Sequence, residues 1–356
     1  MPRCLRLAVL AMTVATASAT PRDASAQIAT VTGRAGSLQL GGRLHSQYSA
    51  SSIEAADNDF FLRRARLRVD AEITDWISGT VMTDFAAGQA DLQDVFVRFE
   101  LSDAFNVSIG QLKRAFDLFE LHSSTDLSLI ERTGAIEGLA VCPGVGGICS
   151  YSRLTEQLRY AGRDQGVRIE GASGTLSYQV TATNGTGIGI GDENDLKSFS
   201  GRVTLASSEA LRTSAQLAFH DYVGPGDENA TAVAWGGDVE YGTWRDGLLV
   251  QAGVVFGDNW ELLDAEDDPM GFLTLQGVAS YYRPLEGDRI VGVEPLARLS
   301  YGDPNLDGDD DGGLLFTPGV MAYFSGRNKI GANLDVYSPQ TGDTEWSLKV
   351  QTFLYF

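Results

Sequence analysis

Three arginines, Arg64, Arg66 and Arg68, occupy every second position within Phe61–Ile73, interleaved with and followed by Ala65, Leu67, Val69, Ala71 and Ile73. Period two is the period of a β-strand, so the guanidiniums share one face and the apolar residues the other. A guanidinium is planar, permanently charged, and donates two parallel hydrogen bonds to a phosphate or carboxylate. Three on one stripe repel each other unless they are hydrated, paired with carboxylates, or used to pass anions. Arg98 falls on the corresponding face of a later run, and Lys113 and Arg114 end another. Arg64, Arg66, Arg68, Arg98, Lys113 and Arg114 are therefore the candidate residues of an ion path.

Other constellations point to less. In DPNLDGDDDGG, Asp303, Asn305, Asp307, Asp309 and Asp311 follow the spacing of a Ca²⁺-binding loop, with Gly308 at its turn. The twelfth position is Leu314, where such a loop carries a bidentate Glu, and calcium is the one cofactor the sequence raises. Cys142 and Cys149 bracket PGVGGI with no His nearby. In an exported protein a disulfide is the expectation for such a pair. Closing that short loop stabilises by about 2.5 kcal/mol in the chain-entropy model. His45, His122 and His220 are far apart, and no nucleophile elbow or HExxH motif occurs. Gly185-Thr186-Gly187-Ile188-Gly189 lacks the βαβ setting of a dinucleotide fingerprint. The sequence thus predicts no enzyme.

The elements that carry these residues are strands. In Thr344–Phe356, Trp346, Leu348, Val350, Leu354 and Phe356 fall on one side; Glu345, Ser347, Lys349 and Gln351 fall on the other. Sixteen such runs can be counted from Leu38 onward. Their connections alternate between tight turns, such as Thr74-Asp75-Trp76, and long loops, such as Asp258–Met270. That alternation and an even strand number predict an all-β, transmembrane antiparallel β-barrel of about sixteen strands, with long external loops and short periplasmic turns. Closure pairs every backbone group within the bilayer. Trp76, Phe105, Tyr222, Phe256, Tyr281, Tyr282, Phe324 and Tyr337, near strand ends, are expected to form interfacial girdles. The closing Tyr355-Phe356 resembles the C-terminal signal of bacterial outer-membrane barrels.

Composition narrows the class further. The 356 residues carry a net charge of −20, which excludes a general nucleic-acid binder because phosphate contacts need a basic surface. Beyond the first 30 residues no apolar run reaches membrane-helix length. Arg3 and Arg6, the apolar stretch Leu7–Ala15 and the small-residue sites ending at Ala19 and Ala26 read as an export signal over residues 1–26, cleaved after Ala26 or alternatively Ala19. Residues 27–356 would then form the barrel.

A resemblance sharpens this reading. FFLRRARLRVDAEITDWISGTVMTDFA, LQDVFVRFE and FNVSIGQLKRAFDLFELHSSTDLSLIER, within residues 60–132, resemble the phosphate-selective porin O and P family. The most recognisable parts are Arg63-Arg64-Ala65-Arg66, Gly110-Gln111-Leu112-Lys113, and Phe116 to Arg132 closing on Glu131-Arg132. The departures are Arg114-Ala115 where a proline is expected, and an insert at Gly134–Ser150. Over the rest of the chain only the barrel periodicity and the aromatic ending agree. The resemblance implies a homotrimeric, sixteen-stranded porin of the bacterial outer membrane, in contact with lipid and lipopolysaccharide. It also implies a long loop after the fifth strand, about residues 114–163, that folds into and constricts the pore.

Parity places Arg43, Arg168, Arg202, Arg212, Arg298 and Lys349 in the lumen as well, against a similar number of acids that include Asp70, Asp84, Asp94, Glu170, Asp238, Glu240, Glu294 and Asp335. Most of the net negative charge must then lie in loops, and any anion or phosphate preference must come from local segregation. The function expected is passive diffusion of small polar solutes and ions. The other class open to the sequence is a barrel whose acidic loops bind calcium or a surface partner, with no useful pore.

Overall fold

The computed structural model describes residues 29–33, 36–192 and 194–356; the expected signal segment and its cleavage sites lie outside them. In chain order the strands of the first half are β1 (Ala29–Gly33), β2 (Gly36–Ser51), β3 (Asp59–Glu72), β4 (Ile77–Asp84), β5 (Asp91–Ser102), β6 (Phe105–Lys113), β7 (Arg163–Ser173), β8 (Leu176–Thr183) and β9 (Ser198–Ala206). The second half contributes β10 (Leu211–Val223), β11 (Asn229–Thr243), β12 (Asp246–Leu263), β13 (Pro269–Pro284), β14 (Gly292–Asp303), β15 (Gly313–Tyr323), β16 (Lys329–Pro339) and β17 (Glu345–Tyr355). Each strand from β2 to β17 pairs antiparallel with the next, and β17 pairs with β2. The result is a closed barrel of sixteen strands.

The short strand β1 pairs with the first part of β2, from Gly36 to Leu40, while β17 pairs with the later part, from Arg43 to Ser51. It therefore prolongs the line of β17. Phe356 sits at the junction, its N–H donating to Gly42 O (3.1 Å) and its carbonyl accepting from Gly42 N (2.8 Å).

Alternation decides what each strand shows. On β14, Glu294, Leu296, Arg298 and Ser300 are buried inward while Leu299 is exposed outward. Leu67, Val81, Ile109, Val180, Leu217, Leu275 and Leu348 are likewise exposed, as lipid-facing side chains must be. The expected girdle is only partly outside. Trp76, Phe105 and Tyr281 are exposed, but Tyr222, Tyr282 and Tyr337 are buried in the interior. Tyr281 and Tyr282 are adjacent on one strand, so the pleat that turns the first toward lipid turns the second into the lumen, where it meets Tyr323 edge-on at 5.4 Å.

Residues 114–162 lie inside the barrel, with two short helices, α1 (Leu118–Leu121) and α2 (Tyr151–Gln157). Arg114 N donates to Gly162 O (2.9 Å), closing the base of the segment. The main hydrophobic core is the surface between this segment and the wall: Phe116, Phe119, Ile130, Tyr151, Leu154 and Tyr160 with Val255, Phe272, Leu315 and Tyr337. Backbone enclosed in this way needs partners for its N–H and C=O groups. Polar side chains of the wall supply them. Asn333 Oδ1 accepts from Ile130 N (2.7 Å), Ser300 Oγ from Tyr151 N (2.9 Å) and Tyr337 Oη from Cys149 N (3.2 Å). Arg298 donates to the carbonyls of Glu131 (3.0 Å) and Arg132 (2.8 Å), and Lys329 to that of Leu127 (2.6 Å). On β14, Gly302 permits the close approach, since a Cβ there would come within 2.9 Å of the Cys149–Ser150 backbone.

A cationic cavity inside the barrel

The wall opposite those contacts is left to water and solutes. Strands β2, β3, β5, β6 and β7 and the inner segment enclose a cavity of about 220 Å³. Its lining includes Arg43, Arg64, Arg66, Arg68, Lys113, Arg132, Arg163 and Arg168, and among the acidic side chains of the described residues only Asp94. Strand pairing creates this density: Arg43 is opposite Arg66 and His45 opposite Arg64 across β2–β3, while Lys113 is opposite Arg163 across β6–β7.

Most of these cations are tied by their edges. Arg66 Nε meets Asp84 at 2.6 Å, Arg68 Nε meets Asp70 at 2.7 Å, and Arg163 Nε meets Asp94 at 2.7 Å. Arg168 pairs with Glu170 (3.0 Å) and Arg132 with Glu120 (2.8 Å). Lys113 Nζ donates to the carbonyls of Glu120 and His122, so it also fixes α1. Arg43 and Arg64 have no carboxylate within ion-pair distance among the described residues. Arg43 donates to Ser124 Oγ (2.5 Å) and Met82 Sδ (3.1 Å). Arg64 is 7% exposed, and its Nε has no hydrogen-bond partner.

The six sequence candidates therefore separate. Arg64, Arg66, Arg68 and Lys113 converge on the cavity. Arg98 stands apart, paired with Glu100 (3.1 Å) and Glu170, and lines two other cavities. Arg114 is not on a solute path. It is 2% exposed and donates to the carbonyls of Arg159 and Phe219 (3.4 Å), clamping the base of the inner segment to β10. Burial, only partly offset by Asp164, brings its guanidinium down to about 10. Arg298 and Lys349, expected as lumen cations, are almost fully buried and share Asp335 at 2.9 and 3.0 Å.

Three contributors escaped the sequence reading. Strict alternation sends Arg63 to lipid, but the β2–β3 register shifts between His45/Arg64 and Ser46/Leu62. That bulge turns Arg63 onto Glu131 of the inner segment, with Nε–Oε1 2.5 Å and Nη2–Oε2 2.9 Å. Burial raises the Glu131 carboxyl and Arg63 opposes it, leaving the group below the usual carboxylate range. Arg132 and Arg163 belong to the inner segment and to the first residue of β7, where strand parity gives no guidance. Glu131-Arg132 is visible in the sequence only as part of a motif.

Cys142 and Cys149 are bonded, Cα to Cα 4.9 Å, within the inner segment. The carboxylates of 303–311 are not gathered into a metal centre: among the described residues no three His, Cys, Asp or Glu side chains converge to hold an ion. The loop spends its oxygens on its own turns, Asp303 Oδ1 accepting from Asn305 N (3.2 Å) and Asn305 Oδ1 from Asp307 N (3.1 Å), while Asp307 and Asp309 are exposed. Burial and the neighbouring charge of Asp303 push the Asp311 carboxyl up.

Comparison with solved structures returns outer-membrane barrels. An anion-selective porin from Comamonas acidovorans superposes with TM-score 0.64 at 13% identity, over 90% of this chain and 100% of that one. OmpT of Vibrio cholerae in its trimer form gives 0.63 at 14%, over 90% and 100%. The outer membrane channel DcaP of Acinetobacter baumannii gives 0.62 at 14%, over 92% and 100%. A search of curated proteins by sequence gives no match. A family model for the phosphate-selective porins O and P matches residues 38–237, more than half of the chain. Family and fold together favour a channel over a barrel that only presents acidic loops. The chain is a bacterial outer-membrane porin and belongs to the phosphate-selective porin O and P family.

Proposed function

We propose that this porin passes small solutes by diffusion with a preference for anions, inorganic phosphate among them, and catalyses no reaction. The observation that carries the reading is the segregation of charge, with eight cations and one carboxylate around a single cavity of a chain whose net charge is −20. Clustered charges between low-dielectric walls focus the field on a passing ion. The paired arginines keep donors free on their outer edges, and Arg43 and Arg64 add charge with no carboxylate beside it. Residues 114–162 act as the constriction, because they pack against the wall along β10–β17 and leave the cationic cavity open along β2–β7. The anion-selective porin among the structural relatives agrees with this preference, and the trimer form of OmpT with assembly as a homotrimer. The outward apolar belt meets lipid, and the acidic external loops face lipopolysaccharide.

Replacing Arg64, Arg66 and Arg68 together with Gln tests the ion path. In planar bilayers the reversal potential in a KCl gradient should move away from the chloride limit, and millimolar phosphate should lose its effect on chloride current. An unchanged reversal potential would reduce these arginines to paired wall residues.

A further inference from the structure

A second cavity, of about 520 Å³, meets the cationic one at Leu121 of α1 and reaches the β5–β6 turn at Asp103. Two neighbouring rows of side chains build its wall. Asn106, Glu170, Gln179 and Arg202 stand opposite one another across β6–β9. Ser177, Thr204, Ser214 and Asp238 do so across β8–β11. Residues opposite each other in a ladder share a face of the sheet, and the buried Asn106, Arg202 and Asp238 show that this face is the lumen side. Arg98 on β5, and Arg212 opposite Glu240 on β10–β11, complete it. The inner segment closes the cavity with Leu118 and Leu121 of α1 and with His122.

The charges of this cavity are spent on one another. Arg202 closes on both oxygens of Asp238 (2.5 and 2.6 Å), Arg212 pairs with Glu240 (2.7 Å), and Arg98 pairs with Glu170. His122 Nε2 stands 2.9 Å from the other oxygen of Glu240. In two of these pairs the guanidinium is the more open member: the Arg212 side chain is 38% exposed against 8% for Glu240, and Arg98 26% against 13% for Glu170. A solute therefore meets donors whose charge is balanced by the carboxylate behind them. An inorganic anion gains little here, because no excess of positive charge gathers it. A neutral hydroxylated solute accepts the same hydrogen bonds and has no charge to desolvate. Ser177, Gln179, Thr204 and Ser214 add uncharged donors and acceptors on the wall, while Leu118 and Leu121 supply apolar surface from α1. A sugar ring divides the same way, with hydroxyls round its edge and C–H groups on its faces. The volume falls within the range of about 300–1,000 Å³ usual for small-molecule sites.

We propose that this cavity is a binding subsite for neutral sugars, distinct from the anion path, with sugar hydroxyls on Arg98, Gln179 and Arg212 and a ring face against Leu118 and Leu121. It stands on the assignment of the chain as a channel and not on the anion preference. It is tested on the purified, folded porin in planar bilayers by adding maltose, glycerol or glycine to KCl. Maltose should reduce the current saturably, beyond the fall in bulk conductivity, at a concentration at least about tenfold lower than glycerol or glycine requires. Gln179→Ala should raise the half-blocking maltose concentration several-fold, and Ser177→Trp, which fills the space beside Gln179, should abolish the block. Ser177 adjoins the short β7–β8 turn, so that variant decides the matter if Gln179→Ala fails to fold. A current that falls only with bulk conductivity would overturn the subsite, and so would an unchanged half-blocking concentration in either variant. Glycine acting at or below the maltose concentration would also overturn it, because exposed charges rather than balanced donors would then select the solute. The sign of the reversal potential enters none of these outcomes. A channel that reverses on the potassium side, yet is blocked by maltose through Gln179, keeps the subsite and loses the anion preference.

Discussion

Arg64, like Arg43, stands on the cavity wall without a carboxylate partner, and single substitutions should reveal it. Arg68 is already neutralised by a two-pronged contact with Asp70, whereas Arg64 has no carboxylate at ion-pair distance. Arg64→Gln should therefore move the reversal potential further from the chloride limit than Arg68→Gln does, and equal shifts would contradict the assignment. Asp117 offers a pH test within the inner segment. Its carboxylate accepts from Phe119 N (2.8 Å) and from the Thr155 hydroxyl (2.7 Å), joining α1 to α2. Burial, against the hydrogen bond from Thr155, pushes this carboxyl up to about 7, from about 4 in an unfolded chain. The folded state thus holds the proton more tightly, and this group's contribution to stability falls as pH rises from about 4 through about 7. Asp117→Asn should remove that component, seen as a smaller difference between melting temperatures at pH 5 and pH 8 in detergent. An unchanged difference would place the titration elsewhere. At this scale the period-two arginines were legible because alternation alone fixes their face. Arg63 was visible only as part of a family motif, because one bulged residue reverses parity and the local sequence does not show which face it takes.

Among elements, the inner segment depends on wall side chains that look, in sequence, like the lining of a water-filled pore. Asp335 is the clearest case. It neutralises both Arg298 and Lys349 and accepts from Ala135 N (3.2 Å), all in buried surroundings. Asp335→Ala would leave two buried cations without their shared carboxylate, a change that costs about 3–5 kcal/mol. We expect a lower melting temperature and a noisier single-channel current as residues 114–162 loosen; a quiet, wild-type trace would show that the anchoring lies elsewhere. The strands themselves were readable from Leu38 to Phe356 because one face must meet lipid and the other must not. What parity could not tell is whether an inward polar residue meets water or another segment. Glu294, Arg298, Asn333 and Lys349 meet the segment. The same limit explains Tyr222, Tyr282 and Tyr337, whose places near strand ends suit a girdle but whose pleat turns them inward.

For the whole molecule, the inner segment packs its apolar residues against the wall along β10–β17 and leaves a cationic cavity along β2–β7. Neither composition nor net charge shows this arrangement. Inward acids and bases nearly balance over the full wall, and only the fold separates buried pairs such as Arg298–Asp335 from cations without a carboxylate partner such as Arg43 and Arg64. Strand β1 was equally hidden, since its five residues extend the line of β17 and add no strand to the barrel. This arrangement makes ion preference a property of one wall, and the sign of the zero-current potential reads it directly. Measured on the unmodified porin across a KCl gradient, that potential should lie on the chloride side of zero; a value at zero or on the potassium side would contradict the account.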